Sequence, residues 1–147
     1  MLKTIQTGYF YKMTIEERVE KANMLRHSHA CNCCQAVATV LSDQVDLSEN
    51  DLWNICCAFG GGMGGMEGVC GAVIGAVIII GLRIQSRSAS AKSNIFSSKF
   101  KSVSGALLCK ELKGRDTGIV VCPCDKCVEN ALRIYDSMAY DLTDNNP

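Results

Sequence analysis

The chain has little proline, no net charge and no apolar run long enough to cross a membrane. Two prolines in 147 residues, against the ~5% of an average chain, leave room for long uninterrupted helices. Fifteen Lys and Arg balance fifteen Asp and Glu, so the electrostatic footprint of a nucleic-acid or acidic-membrane binder is missing. The longest apolar stretch, Val69 to Leu82, has 14 residues, short of the ~18–20 that span a hydrocarbon core. No membrane span and no nucleic-acid partner are expected. The N-terminus, MLKTIQTGYFYKMTIEERVE, carries neither an apolar signal-peptide core nor a small-residue cleavage site, so a cytoplasmic location is expected. Also missing are a Ser/His/Asp pattern, a carboxylate pair suited to acid–base work and a Cys-x-x-Cys-His haem-attachment motif.

What is present in excess is cysteine, ten residues, with thirteen glycines. In a reducing cell, clustered cysteines act as metal ligands or redox groups more often than as structural bridges. The vicinal pairs Cys33-Cys34 and Cys56-Cys57 also suit a disulfide framework poorly. The chain is organised around Ile55 to Leu82, where a glycine-rich segment carrying Cys70 feeds the apolar run. A buried strand shares that run's composition, but its length favours a buried core helix. Its residues are apolar around the full circumference, as an element packed on all sides requires. Gly71 and Gly75 share one face of it, where another backbone or a cofactor can approach closely.

Thr14 and Glu17 form a capping box that starts a helix running to about Arg26. A second helix spans roughly Asn32 to Ser42, with Cys33, Val37, Val40 and Leu41 on one face. Ser48, with Asp51 three residues on, caps a third over about Glu49 to Ala58. Phe59 to Gly68 is a loop. It has no G-x-x-x-x-G-K-[ST] and no Rossmann context, so it is either a connector or a loop whose amides approach a cofactor carried by Cys70. After Leu82 a Ser- and Lys-rich segment gives a loop and then a solvent-lined helix with Ile95, Phe96 and Phe100 on one face. A short helix follows between Gly105 and Gly114, and Arg115 to Pro123 is a loop. A last helix from Asp125 buries Val128, Ala131, Leu132 and Tyr135. The expected fold is all-α: one helical bundle over residues 1–147, built around the glycine-containing apolar helix, with an arm at 1–13 and a frayed tail at 143–147.

Cysteines sit beside apolar helical faces in four places: Cys33 or Cys34, Cys70, Cys109, and the cluster Cys122, Cys124 and Cys127. Four thiolates brought together by helix packing could hold Zn²⁺ or an iron–sulfur cluster. The bland reading makes free cysteines small buried hydrophobes, and it is applied to Cys56 and Cys57. Cys124-x-x-Cys127 at a helix start also fits a thiol–disulfide couple, since a helix N-terminus raises the thiolate fraction. His27 and His29, beside Cys31, are either metal ligands or exposed loop residues.

Several spaced motifs carry a resemblance. They are Asn32-Cys33-Cys34-Gln35-Ala36-Val37, Ala58-Phe59-Gly60-Gly61-Gly62-Met63-Gly64, Cys70-Gly71-Ala72-Val73-Ile74-Gly75-Ala76, Cys109-Lys110-Glu111-Leu112 and Cys124-Asp125-Lys126-Cys127-Val128-Glu129-Asn130-Ala131. In this order they resemble the small bacterial proteins of the C_GCAxxG_C_C family, over about Asn32 to Tyr135. The resemblance places the family's four cysteines at Cys33, Cys70, Cys109 and Cys124. This chain departs from the pattern in three ways. Val69 precedes Cys70, with Gly71 before Ala72; position 34, often Ala in such motifs, is Cys; and Cys127 stands where a large apolar residue is expected. The extra thiols leave the fourth ligand open between Cys124 and Cys127. The family is similar to a domain of split-Soret cytochromes, which implies a helical homodimer able to carry an iron–sulfur centre, without the haem.

The expectation is therefore a redox-active, iron–sulfur electron-transfer protein whose partner is an electron-transfer protein or small redox donor. Metal ligands would come from Cys33, Cys70, Cys109, Cys124 and Cys127. Amides of the loop, at Gly60, Gly61, Gly62 and Gly64, would approach the cofactor's sulfurs, beside the bare face at Gly71 and Gly75. The alternatives are a metal-free thiol–disulfide oxidoreductase or redox sensor, and a zinc-binding structural module.

Overall fold

The computed structural model describes residues 12–142. The expected tail and all but the last two residues of the expected N-terminal arm lie outside that range. The described residues form seven α-helices and no strand: α1 (Ile15–His27), α2 (Cys33–Val40), α3 (Glu49–Cys56), α4 (Gly71–Ile84), α5 (Ser88–Ser104), α6 (Cys109–Lys113) and α7 (Cys124–Met138). The all-α expectation holds.

The helix starts follow from their caps. Thr14 accepts from the Glu17 amide while the Glu17 carboxylate accepts from the Thr14 amide, and Asn32 and Gln35 repeat the arrangement at α2. Ser48 caps α3 through the Asp51 amide. α3 is shorter than expected and tightens into a 3₁₀ turn at Cys57–Phe59. Cys56 is buried, but Cys57 lies on the surface, because that tightening turns it outward; the expectation that both are buried fails at Cys57.

The core lies between α2 and α4, closed by α5 and α7. α2 is buried from Cys34 to Val40. A Cβ added at Gly75 would sit 2.7 Å from the Cys34 carbonyl oxygen, so the bare face of α4 does let another backbone approach. Ile74, Val77, Ile78 and Leu82 of α4 are only partly buried. α5 buries Phe96 and Phe100 while Ile95 is exposed, since consecutive residues on a helix point about 100° apart. α1 is tied across by Arg18, buried, whose guanidinium donates to both Asp43 carboxylate oxygens at 2.7 and 2.8 Å and to the Val40 carbonyl.

One feature outside the helices positions the site. Val69 and Leu108 form an isolated antiparallel bridge. The Cys70 amide donates to the Leu107 carbonyl at 2.8 Å and the Cys109 amide to the Gly68 carbonyl at 3.0 Å. This clasp sets Cys70 and Cys109 side by side.

Candidate functional site: a thiol-lined cavity

Four cysteines occupy equivalent places on four helices. Cys33, Cys109 and Cys124 are the first residues of α2, α6 and α7, and Cys70 is the N-cap of α4. All four line one cavity of about 200 Å³, together with Cys31, Cys127, Arg26, His29, Asn32, Gly61 and Lys113. Six thiols from distant parts of the chain thus converge on a single space. Helix starts present unsatisfied N–H groups and a partial positive charge. Three of the four starts belong to helices of eight residues or more, so the wall itself favours negative charge; α6 is too short to add a macrodipole.

Each thiol is seated by a local device. Asn32, besides capping α2, donates through Nδ2 to the carbonyls of Cys56 and Cys57 at 3.2 and 3.1 Å, which fixes the turn bearing Cys33 against the end of α3. Cys33 Sγ packs where a side chain on Gly71 would stand. At Gly62, φ is +60° and an added Cβ would lie 2.5 Å from the Cys109 Cβ, so glycine serves there twice. Cys127 is fully buried, with its sulfur 3.5 Å from the Cys122 carbonyl oxygen.

The electrostatics single out Cys70. A hydrogen bond from the Cys127 thiol pulls its pKa down to about 6, aided by Lys113 and by the Ala72 and Val73 amides, while burial opposes. Those amides face the sulfur without closing a full capping hydrogen bond. Cys127 is driven up, because its proton is held by Cys70 and burial disfavours its charge. Burial first, and then the charge at Cys70, raise Cys33 and Cys109, with the Gly61 amide partly relieving Cys33. As it stands, the array holds one thiolate readily and resists a second. Lys113 supplies the counter-charge: its ammonium donates to Cys127 Sγ at 3.4 Å and to the Cys122 carbonyl at 3.1 Å. Burial alone would lower its pKa, but the thiols of Cys127, Cys124 and Cys70 outweigh it and raise it.

All five cysteines singled out as ligands, Cys33, Cys70, Cys109, Cys124 and Cys127, therefore line one cavity. Of the glycines, Gly61 lines it, Gly62 backs Cys109 and Gly71 backs Cys33. Gly60 packs on Asn32, Gly75 packs on α2, and Gly64 faces open space. Lys113 and Arg26 are cavity residues that the sequence did not mark, since neither lies in a cysteine motif. Among the described residues no group of three or more His, Cys, Asp or Glu is arranged to hold a single metal ion.

Helix starts that gather separated cysteines around one cavity define a cysteine-centred protein. The chain belongs to the family described as "Putative redox-active protein (C_GCAxxG_C_C)", whose family model matches residues 31–138. No curated protein and no solved structure matches it. No described helix is long and apolar enough to cross a membrane.

Proposed function

We propose that the cavity holds an iron–sulfur cluster and that the protein transfers electrons to or from an electron-transfer protein or small redox donor in the bacterial cytoplasm. The observation that carries this reading is the convergence of six thiols and three helix N-termini on one cavity of about 200 Å³. The donor set suits the group: thiolates bind iron–sulfur clusters, and a thiolate-ligated cluster is anionic, as the helix starts and Lys113 favour.

Cys33, Cys70 and Cys109 would each give one thiolate, with Cys124 or Cys127 the fourth. A cluster supplies a one-electron couple. The chain's own part is to hold the thiolates, to neutralise them with Lys113, and to set the Gly61 amide against Cys33 sulfur. Because Cys33, Cys109 and Cys127 resist ionisation alone, loading must release protons and is favoured by rising pH.

The test is iron and acid-labile sulfide analysis with a visible spectrum, on protein purified without oxygen. Stoichiometric iron and sulfide, lost in Cys70→Ser, are expected; full absorbance in that variant would sink the assignment. Cys124→Ser and Cys127→Ser compared in the same way identify the fourth ligand.

A second reading rests on the Cys70–Cys127 contact: a metal-free dithiol in which Cys70 is the nucleophile and Cys127 the resolving thiol. It predicts a colourless protein in which one two-electron oxidant joins these two residues. The Cys124-x-x-Cys127 spacing is then not the couple, since Cys127 hydrogen-bonds to Cys70.

The chain acts as a homodimer in this proposal. The support is the outward face of α4, where Ile74, Val77, Ile78 and Leu82 are only partly buried and Gly81 faces open space.

A further inference from the structure

Exposed apolar side chains gather where the end of α5 meets the loop before α7. Ile119, Val120 and Val121, consecutive in that loop, are each more than half exposed, and so is Val103 near the end of α5. The two segments touch: a Cβ on Gly105, which ends α5, would lie 2.7 Å from Val121 Cγ1. Asn130 of α7 donates to the Ser104 hydroxyl at 3.0 Å and holds the same corner. The loop is pinned to α6, since the Val121 and Cys122 amides both donate to the Leu112 carbonyl, at 3.0 and 3.1 Å. Apolar side chains clustered on a surface mark an interaction site, as singly exposed ones do not.

This corner abuts the cavity. Cys122, next after Val121, is buried. Its carbonyl oxygen accepts from Lys113 Nζ at 3.1 Å and lies 3.5 Å from the Cys127 sulfur, and both of those residues line the cavity. A molecule seated on residues 119–121 therefore stands one residue outside the cavity wall.

Charge says what that molecule would be. Residues 83–124, which include α5, α6 and the loop, carry eight Lys and Arg against two acids, Glu111 and Asp116, so the rest of this neutral chain is net acidic. Lys110 and Arg115 are engaged by Glu67, and Arg115 also by Asp116. Lys99 and Lys101 are exposed and form no ion pair among the described residues. They point about 200° apart on the last turns of α5, so they bracket its end.

We infer that Val103 and residues 119–121, with Lys99 and Lys101 beside them, form the docking surface for an acidic electron-transfer protein. The inference rests on the proposed function and chooses between its two partner classes. An apolar centre with a charged rim is the anatomy of a protein interface, and complementary charge speeds the encounter. A lipid surface fits less well: the apolar side of α5, with Phe96 and Phe100, is spent in the core, and no wide apolar face remains to enter a membrane. A second copy docking through the same patch would set lysine against lysine.

The test uses the native full chain and two acidic carriers, a plant-type ferredoxin and a flavodoxin, with binding followed by surface plasmon resonance at ~10 and ~150 mM salt. At least one carrier is expected to bind, and to associate more slowly at the higher salt. The double variant Lys99→Gln/Lys101→Gln should associate several-fold more slowly at low salt and lose most of the salt dependence. Val120→Ser should instead speed dissociation, with helical content unchanged by circular dichroism in both variants. Binding of neither carrier overturns the inference, and phosphatidylserine vesicles bound instead would make the face a membrane contact. Binding unchanged in either variant also overturns it. The readout needs no cluster: iron-free protein that docks a carrier through these residues counts against the proposed function alone, and iron-loaded protein that docks neither counts against this inference alone.

Discussion

Cys70 is the residue on which the cavity's charge depends. In metal-free protein its thiol titrates at about 6 because Cys127 donates to it and Lys113 stands nearby. The thiolate is the nucleophile, so alkylation of Cys70 by iodoacetamide should already be at its plateau at neutral pH and fall away below about pH 6. Lys113→Gln removes a stabilising charge from the thiolate, so the titration should move upward, while Lys113→Arg should largely restore it. A profile unchanged in Lys113→Gln would remove Lys113 from the site. The cysteines were legible in the sequence because they sit beside apolar helical faces and in spaced motifs: Cys33 at the start of one such face, Cys70 where the glycine segment meets the apolar run, Cys109 in a short helix, and Cys124 in a Cys-x-x-Cys at a helix start. Lys113 was not, because its role comes from where α6 lies in space rather than from any neighbour in the chain.

At the scale of elements, the close approach of α2 to α4 depends on Gly75. A methyl group there would meet the Cys34 carbonyl oxygen at 2.7 Å, and backbone cannot step aside as a flexible side chain can. Gly75→Ala should therefore destabilise the fold by roughly 1–3 kcal/mol despite the ~1 kcal/mol gain in helix propensity, as read by urea denaturation. The glycine loop is held from outside by Glu67, whose carboxylate accepts from Lys110 at 2.8 Å and Arg115 at 2.7 Å. The hydrogen bond from Lys110, then that from Arg115, depresses its pKa from 4.5 to about 2. A depressed carboxylate contributes fully above its unfolded value and loses that contribution as pH falls through the folded one. The melting-temperature difference between wild type and Glu67→Gln should thus be present at about pH 6 and close as pH falls from ~4 toward ~2; a difference independent of pH would show that the carboxylate's charge is irrelevant. The helices were foreseeable from caps and periodicity. The Val69–Leu108 clasp was not, since a single bridge has no period and pairs residues far apart in the chain.

For the whole molecule, α4 is only partly enclosed. Gly71 and Gly75 are sealed by α2, while Ile74, Val77, Ile78 and Leu82 stay partly open to solvent. If two copies meet there, Ile78→Lys should give a monomer by light scattering at concentrations where the wild type is a dimer, with helical content unchanged by circular dichroism. A wild type that is monomeric at all accessible concentrations would remove the dimer.

Helix ends are where folded proteins come apart most easily, opening at a fraction of the free energy of global unfolding. This chain builds its cavity largely from such ends, with His29, Cys31 and Gly61 between them. The seam between the starts of α2, α4, α6 and α7 can part while the packed middles of α2 and α4 stay together. If the cavity holds the proposed cluster, that cluster could therefore be delivered to, or withdrawn from, an already folded protein.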